Sequence, residues 1–376
     1  LDLSSYTTAR QVTLTGTGSI DGFDGTEASG FAFSNIDVLL GTSGADSLTG
    51  ADLAQNWNLS ATAHTVTANT QTLTFSSFET LVGGSAADEF TIADGYTFTG
   101  SMDGAQGNDT LDLSAYTTQR TLNLASIAGV DGFNGTVAAI SGGFASIDNF
   151  IGSATIATDH LYGPNLTADW QVGPASSITV GTHTSTFSSF ENLHGGTQPD
   201  TFTVTGASNQ VILRGGGGTD HFIFNNGASI TGAVDGQGGS GDTLDYTPYT
   251  TPVNVNLSSK ATLGVSAFFA TSMTGVLNIQ NILGGSADDI LIGNSDDNVI
   301  TGNGGNDMLL GGSGDDRFVF GDNWGTADVI VEDTDKGTDT VDFSTATVNL
   351  TFAVEANTVS DSVNLLTYSA RNIEKL

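Results

Sequence analysis

Four consecutive nine-residue segments between residues 284 and 319 place glycine, aspartate and apolar residues at fixed intervals. They read GGSADDILI, GNSDDNVIT, GNGGNDMLL and GGSGDDRFV. Each has glycine first, Asp or Asn sixth, and an aliphatic or aromatic residue eighth. Glycine permits positive φ, which lets backbone carbonyls point into a turn. Carboxylate and carbonyl oxygens are the ligands that Ca²⁺ takes. The spacing therefore predicts calcium-binding turns.

The length of the segments also predicts how the turns stack. Six polar residues make a turn and three make a short strand, so two segments make one coil. Asp289 should then lie next to Asp307, and Asn298 next to Asp316, on one edge of the stack. The candidate calcium ligands of the block are the side chains of Asp289, Asp297, Asn298, Asp307, Asp315 and Asp316 and the backbone at Gly284, Gly302, Gly304 and Gly311.

The block resembles the repeat-in-toxin (RTX) family, whose calcium repeat reads G-G-x-G-x-D-x-U-x. The third and fourth segments match closely. The first departs at Ala287, and the second has Asp296 and Asn298 where the family has glycine and aspartate. The resemblance implies Ca²⁺ as the cofactor and a protein of the large bacterial surface adhesin or matrix kind.

Single copies of the motif lie elsewhere in the chain. They begin at Gly41, Gly83, Gly104, Gly195 and Gly215, and at Gly236 with one inserted residue. Asp46, Asp109, Asp220 and Asp242 are candidate ligands there, whereas the turns of Asp88 and Asp200 lack glycine at the fourth position. A lone copy is also consistent with a simple Gly/Asp turn between two strands.

An acidic segment follows the block from Asp328 to Ser344. It resembles the segment that closes the roll in many RTX proteins, which implies additional ligands at Asp333 and Asp342, with Glu332, Asp335 and Asp339 as further candidates. A solvated acidic loop is the alternative interpretation.

Other site chemistry is poorly represented. The chain has no cysteine, and its five histidines show neither H-x-x-x-H nor H-E spacing, which argues against a zinc site. It contains no P-loop, dinucleotide fingerprint or nucleophile elbow. The eight basic residues are dispersed, and Arg10 and Arg120 occupy equivalent repeat positions, as structural residues would. We expect that the protein is not an enzyme.

The composition predicts an all-β fold. The acids are 34 Asp and only 7 Glu, and the abundance of Gly, Asn, Ser and Thr makes a poor helix composition. Alternating runs such as QVTLTG and VNVNLSS, separated by Gly and Asp turns, have strand periodicity. Identical turns at fixed intervals favour a parallel β-solenoid, either a β-roll or a wider β-helix, over an array of small β-sandwich domains. Trp57 and Trp170, at equivalent repeat positions, are expected in the core.

Internal repeats of about 110 residues organise the chain. LDLSSYTT at Leu1 returns as LDLSAYTT at Leu111 and LDYTPYTT at Leu244. TFSSFETLVGG at Thr74 returns as TFSSFENLHGG at Thr186. We predict three β-solenoid repeats at 1–110, 111–243 and 244–343, the third containing the tandem segments 284–319. Residues 344–376 would begin a further repeat, as in a window from a longer array.

The charge balance restricts the partners. A net charge of −33 offers no basic patch for nucleic acid, and no apolar run is long enough to insert into a membrane. Highly acidic disordered chains usually lack aromatic residues, but this chain has 21 phenylalanines. We expect a folded, secreted, extracellular or cell-surface protein whose stacked acidic turns need calcium ions to offset their repulsion.

The preferred function is a calcium-stabilised structural segment of a large bacterial surface adhesin, biofilm matrix or filament-forming protein. A carbohydrate-active or carbohydrate-binding β-helix module is the alternative, and it would need aromatic side chains exposed along one face. An ice-binding solenoid would need flat TxT ladders in every coil. Open strand edges would also permit end-to-end self-association.

Overall fold

The computed structural model describes residues 1–127, 131–155, 158–206, 211–258, 275–331, 337–353, 357–361 and 364–368. Within these ranges every regular element is a β-strand. None of the described segments forms a helix of the length and apolarity that a membrane span requires. The chain forms two compact units, one of residues Leu1–Asn165 with Ala175–Leu193 and one of residues Leu166–Pro174 with His194–Leu376.

The strands of the first unit are mostly three to eight residues long. They are β1 (Gln11–Thr17), β2 (Phe23–Glu27), β3 (Ala32–Ile36), β4 (Val38–Leu40), β5 (Ser47–Thr49), β6 (Gln55–Leu59), β7 (His64–Ala68), β8 (Gln71–Ser76), β9 (Thr80–Gly84), β10 (Asp88–Ile92), β11 (Ser101–Ala105), β12 (Thr110–Asp112), β13 (Thr121–Ile127), β14 (Phe133–Val137), β15 (Ile140–Ile147), β16 (Asn149–Ile151), β17 (His160–Tyr162), β19 (Ser176–Val180) and β20 (His183–Ser188). Strand β21 (Asn192–His194) lies at the boundary of the two units.

The second unit contains the remaining strands, each three to five residues long. They are β18 (Asp169–Val172), β22 (Thr201–Val204), β23 (Ile212–Gly216), β24 (His221–Phe224), β25 (Ala233–Gln237), β26 (Thr243–Asp245), β27 (Asn254–Asn256), β28 (Gly275–Leu277), β29 (Asn281–Leu283), β30 (Ile290–Ile292), β31 (Val299–Thr301), β32 (Met308–Leu310), β33 (Arg317–Val319), β34 (Asp328–Ile330), β35 (Thr340–Asp342), β36 (Thr351–Ala353), β37 (Thr358–Ser360) and β38 (Leu365–Thr367).

Parallel ladders between successive coils dominate the second unit. One ladder runs β18–β22–β24–β26–β29–β31–β33–β35, and another runs β27–β30–β32–β34–β38. In the tandem block, Ile290 pairs with Met308 and Val299 pairs with Arg317, so equivalent strands of successive coils lie side by side. The predicted parallel β-solenoid is confirmed, and the block itself is a two-sheet roll.

Antiparallel hairpins widen several coils of the first unit. Strand β1 pairs with β2 and β13 pairs with β14, each with an irregularity in register, at Leu14/Gly16 and Leu124/Ser126. These strands belong to the two best-matching sequence repeats, and they carry the same bulge at equivalent positions. The predicted repeat boundaries describe duplication in the sequence and stay a prediction.

Aromatic side chains stack from coil to coil in the core. Trp57 is fully buried and its ring lies 5.6 Å from that of Phe90, with the planes 18° apart. Trp170 stacks on Phe202 at 5.3 Å, and Phe202 stacks on Phe222 at 5.2 Å. Such rings contribute large buried apolar areas together with favourable stacking. The prediction that both tryptophans lie in the core is confirmed.

Candidate metal centre

The sixth side chain of every motif turn is buried, although nearly all of these side chains carry a carboxyl group. Asp220 and Asn298 have no exposed surface, and Asp242, Asp289, Asp307 and Asp316 are each 1% exposed. The same holds for Asp46, Asp88, Asp109 and Asp200 outside the tandem block. Burial of a charged group is unfavourable unless it is paired or hydrogen-bonded, so the partners of these side chains define the site.

One carboxylate oxygen of each aspartate in these motif turns accepts a hydrogen bond from a backbone N–H of the preceding coil, and in several cases the donor is the equivalent residue of the preceding turn. The N–H of Asp289 donates to Oδ1 of Asp307 at 2.8 Å, and the N–H of Asn298 donates to Oδ1 of Asp316 at 2.8 Å. Both pairs are 18 residues apart. The predicted stacking of these turns is confirmed, and the side chains cap the neighbouring coil.

This series of stacked turn side chains, which we call the carboxylate ladder, continues outside the block with longer intervals between the turns. The N–H of Asp200 donates to Oδ1 of Asp220, and that of Asp220 donates to Oδ1 of Asp242, at separations of 20 and 22 residues. In the first unit the N–H of Asp88 donates to Oδ1 of Asp109. Isolated motif copies therefore use the same geometry as the tandem ones.

The glycine at the first position is required by this geometry. A Cβ added to Gly302 would lie 2.2 Å from Oδ2 of Asp307, and one added to Gly311 would lie 2.1 Å from Oδ2 of Asp316. For Gly284 the distance to Oδ2 of Asp289 would be 2.7 Å. These values are below any normal carbon–oxygen contact, so a first residue with a side chain would displace the carboxylate.

A second repeated motif caps four of the buried turns. In the SFETL, SIDNF, SFENL and NIQNIL segments, Glu79, Asp148, Glu191 and Gln280 accept hydrogen bonds from the N–H groups of Asp46, Asp109, Asp159 and Asp242 respectively. The repeated sequence thus has a structural role, because it satisfies the backbone of a buried turn.

Burial shifts the acidity of the turn carboxyls. It raises the pKa of Asp88, Asp220 and Asp307 to about 7 and that of Asp109 to about 8. It raises the pKa of Asp200, Asp289, Asp316 and Asp328 to about 6. For Asp307, repulsion from neighbouring Asp328 and Asp289 adds to the effect. Ionisation of these carboxyls therefore costs free energy in the folded chain, and a bound cation would offset that cost.

The second oxygens of several turn carboxylates fit a metal ion. Oδ2 of Asp109, Asp220, Asp242, Asp307 and Asp316 is buried and has no hydrogen-bond partner. The described residues contain no group of three or more His, Cys, Asp or Glu side chains that could hold a metal. A cation here would combine a carboxylate oxygen with backbone carbonyl oxygens, a ligand set suited to Ca²⁺.

The fifth-position acids lie outside this buried ladder. Asp297 and Asp315 are exposed, and the N–H of Asp315 donates to Oδ1 of Asp297 at 2.8 Å. Asp315 in turn accepts a hydrogen bond from the N–H of Thr338. Gly304, another candidate, donates its N–H to the carbonyl of Gly285. The fifth-position carboxylates form a second, outer ladder.

The acidic segment after the block is mixed in its roles. Asp339 is buried and accepts the N–H of Asp316 at 3.0 Å, as a further rung of the inner ladder. Asp342 instead accepts hydrogen bonds from Ser344 and from the guanidinium of Arg317. Asp333, Glu332 and Asp335 lie outside the described residues.

Two rungs of the ladder were not predicted from the sequence. Asp159 and Asp328 are buried and accept hydrogen bonds from the N–H groups of Arg120 and Asp307. Their turns depart from nine-residue spacing. The signal that would have found them is aspartate followed two residues later by a core residue, Leu161 and Ile330 here, which every motif turn shares.

Comparison with known proteins agrees with this geometry. The family model of the RTX calcium-binding nonapeptide repeat matches four copies, at residues 31–52 and 283–318. No curated protein matches the chain. The chain therefore carries RTX calcium-binding nonapeptide repeats, and Ca²⁺ is its cofactor.

Proposed function

We propose that this chain is a calcium-stabilised structural repeat segment of a large extracellular bacterial surface adhesin, biofilm matrix or filament-forming protein. The observation that carries the proposal is the ladder of buried turn carboxylates, which joins successive coils in each of the two units. A ladder of this kind makes the fold itself, rather than one localised pocket, depend on the cation.

The charge of the chain supports a calcium-dependent fold. Buried acids on successive coils repel one another, and with 41 acidic against 8 basic residues the chain has few cations of its own to pair with them. Calcium would bind only the folded turns, so binding would add to the free energy of unfolding. Repeats with affinities of about 10⁻⁴ to 10⁻³ M would fill outside the cell, and the chain would stay loosely folded before export.

A catalytic role has little support in the chemistry of the turns. The buried acids contact backbone N–H groups, and they recur in coil after coil rather than converging on one centre. A repeated array of this kind suits a scaffold, and we propose that the segment is not an enzyme.

The carbohydrate-binding alternative required exposed aromatic platforms. Trp57 and Trp170 have no exposed surface, and Trp324 is 4% exposed. Their burial removes the tryptophans as sugar platforms, which favours the structural role, and leaves the exposed Tyr6 and Phe31 as aromatic candidates for the alternative.

Self-association is a second element of the proposal. Strand β3 lies at the edge of one sheet and β36 at the edge of another. Edge strands present unpaired N–H and C=O groups to other chains. Light scattering across protein and calcium concentrations should reveal calcium-dependent oligomers, and a mass that stays monomeric would remove this element.

Force spectroscopy on single molecules tests the structural function. The segment, held between two marker domains of known unfolding force, should resist extension in millimolar calcium and extend at low force in a chelator. Antibodies raised against residues 284–319 should also label intact cells of the source bacterium. Equal resistance with and without calcium, or labelling only after lysis, would contradict the proposal.

A further inference from the structure

The motif turns differ at their second residue. In one class, which we call closed turns, the N–H of the second residue donates to the buried Asp or Asn side chain at the end of the turn. The pairs are Thr42 with Asp46, Ser153 with Asp159, Gly196 with Asp200, Gly285 with Asp289, and Asn294 with Asn298. The side-chain hydroxyl of Thr42 also donates to Asp46, at 2.9 Å. A closed turn satisfies its own carboxylate or amide.

In the other class, the open turns, the second residue has a left-handed backbone. The five are Ala105 (φ 72°), Gly216 (φ 103°), Gln237 (φ 65°), Asn303 (φ 66°) and Gly312 (φ 111°). They belong to the turns of Asp109, Asp220, Asp242, Asp307 and Asp316, whose Oδ2 atoms are buried without a hydrogen bond. Asp88 also has an unpaired Oδ2, but its second residue is not left-handed, so its turn is not in this class.

The fourth residue separates the same five turns. In each it is a glycine with positive φ, namely Gly107, Gly218, Gly239, Gly305 and Gly314. A Cβ on Gly239 would lie 1.9 Å from the carbonyl oxygen of Gly218, the fourth residue of the turn before it. On Gly305 it would lie 2.3 Å from the carbonyl oxygen of Ala287, again a fourth residue. Open turns therefore bring a carbonyl oxygen of the preceding turn against their own backbone.

Two open turns keep this backbone at a steric cost. Left-handed φ is unfavourable for residues with a Cβ other than Asn and Asp, yet Ala105 and Gln237 adopt it. Their N–H groups donate to Asp103 and Asp235 at 3.0 Å, which turns these donors away from the buried carboxylates of Asp109 and Asp242. Unsatisfied buried carboxylate oxygens and strained backbone recur together, a combination that a bound cation explains.

We propose that the left-handed second residue selects the turns that take calcium, and that the stacked turns Gly215–Asp220 and Gly236–Asp242 hold a calcium site outside both segments that match the family model. The inference rests on the proposed calcium-stabilised function and names which turns supply it. Asp220 and Asp242 are 0% and 1% exposed and are joined by a 2.8 Å hydrogen bond from the N–H of Asp220, so two unsatisfied carboxylate oxygens occupy adjacent rungs.

The same rule removes a site that sequence matching suggests. The turn Gly41–Asp46 lies within the matched residues 31–52 and has glycine at its fourth position, but it is closed by Thr42. Its carboxylate is satisfied by the chain itself. Family match and geometry thus make opposite predictions at Asp46 and at Asp242.

Calcium stoichiometry of the full chain tests the rule. The chain and its Asp242→Asn and Asp46→Asn variants are dialysed against buffered millimolar free Ca²⁺, and bound calcium is measured by elemental analysis. Asparagine preserves size and an acceptor oxygen but removes the charge. Asp242→Asn should lose at least one calcium per chain, and Asp46→Asn should keep the full number. An undiminished count in Asp242→Asn, or an equal loss in Asp46→Asn, would overturn the inference.

A second measurement uses the unaltered chain, so it tests the inference even if a variant fails to fold. Anomalous diffraction from crystals of the unaltered chain grown with Tb³⁺ in place of Ca²⁺ should give a peak about 2.3–2.6 Å from Oδ2 of Asp220 or Asp242. No peak should lie at Asp46. A peak at Asp46 with none at Asp220 and Asp242 would overturn the inference alone, whereas a chain that binds no calcium at all would overturn the proposed function as well.

Discussion

The backbone N–H of Asp289 donates to Oδ1 of Asp307 at 2.8 Å, so the carboxylate of one turn caps the turn of the coil before it. Asp307 repeats the relationship by donating its own N–H to Asp328 at 2.9 Å. Each carboxylate thus supports the adjacent backbone with one oxygen and leaves the other for a different partner. Calcium bound at such a turn would stabilise two coils together.

Removal of a ladder carboxylate should be costly. Asp307→Ala deletes the acceptor for the N–H of Asp289 and a candidate calcium ligand, and it leaves a buried donor unsatisfied. We expect a loss of about 3 kcal/mol or more in the free energy of unfolding in calcium, measured by urea denaturation. The exposed Asp296 provides the control, since Asp296→Ala should change stability by less than about 0.5 kcal/mol. Similar losses in both variants would contradict a specific role for the ladder.

A methyl group at the first glycine should have a comparable effect without touching a charge. Gly302→Ala would place Cβ 2.2 Å from Oδ2 of Asp307, so the carboxylate must move and its hydrogen bond to Asp289 must weaken. The matched control is Gly321→Ala, whose Cβ would meet its nearest atom, Oγ1 of Thr345, at 3.8 Å. Thermal melts in calcium should show a much lower Tm for Gly302→Ala only. An unchanged Tm there would mean that the turn accommodates a side chain.

The metal-free chain should lose stability as the pH rises from 5 to 8. Burial raises the folded-state pKa of Asp200 to about 6 and that of Asp307 to about 7, above the ordinary value of 3.8. The folded state therefore holds more protons than the unfolded state between about pH 4 and 7. The stability from these protonated carboxyls is fully present below pH 4 and is lost as the pH rises towards 7. A pKa that is higher by two in the folded state than in the unfolded state corresponds to about 3 kcal/mol of stability.

Thermal melts at pH 5 and pH 8 measure this effect. Because chelators bind calcium weakly in acid, the chain would be freed of metal by ion exchange and residual calcium checked. We expect a higher Tm at pH 5 than at pH 8 without metal, and a smaller difference in saturating calcium. A metal-free Tm that rises with pH would show that the ladder carboxyls ionise at ordinary pKa values.

Relief of backbone strain offers an independent check on the open turns. Ala105 has φ 72°, whereas Ala86, in the turn of the preceding coil, is not left-handed. Ala105→Gly should be about 1 kcal/mol more stable than Ala86→Gly, because both variants gain the same freedom when unfolded but only one loses strain. Urea titrations in calcium measure the difference. Equal stabilities would indicate that Ala105 is not strained.

The sequence predicted the fold class and the stacking because both depend on short-range periodicity. Glycine first and an apolar residue eighth fix a turn and a strand, and two segments then close a coil, as the pairing of Asp289 with Asp307 confirms. The motif did not predict Asp159 and Asp328 because their turns contain extra residues. The register is set by the buried Leu161 and Ile330 rather than by spacing from glycine.

The distinction between open and closed turns could not be derived from the motif. Gly44 and Gly305 both occupy the fourth position of their turns, but only Gly305 is left-handed. In the turn of Gly44, the hydroxyl of Thr42 donates to Asp46 and accepts a hydrogen bond from the N–H of Gly44, and these bonds hold the other backbone conformation. Likewise Asp342 was predicted as a calcium ligand because it lies in an acidic segment, whereas in the structure it accepts a hydrogen bond from Arg317. Whether a carboxylate oxygen faces a donor of the chain or is left for a cation depends on which groups the fold brings next to it.

Calcium-dependent folding is the central claim, and far-UV circular dichroism of the intact chain tests it most directly. Spectra and thermal melts at neutral pH in excess EGTA are compared with a titration to millimolar free calcium, with magnesium as the control ion. We predict weak β signal and a low Tm in EGTA, and a large gain of both near millimolar calcium but not magnesium. A chain equally folded and equally stable in EGTA would contradict the account.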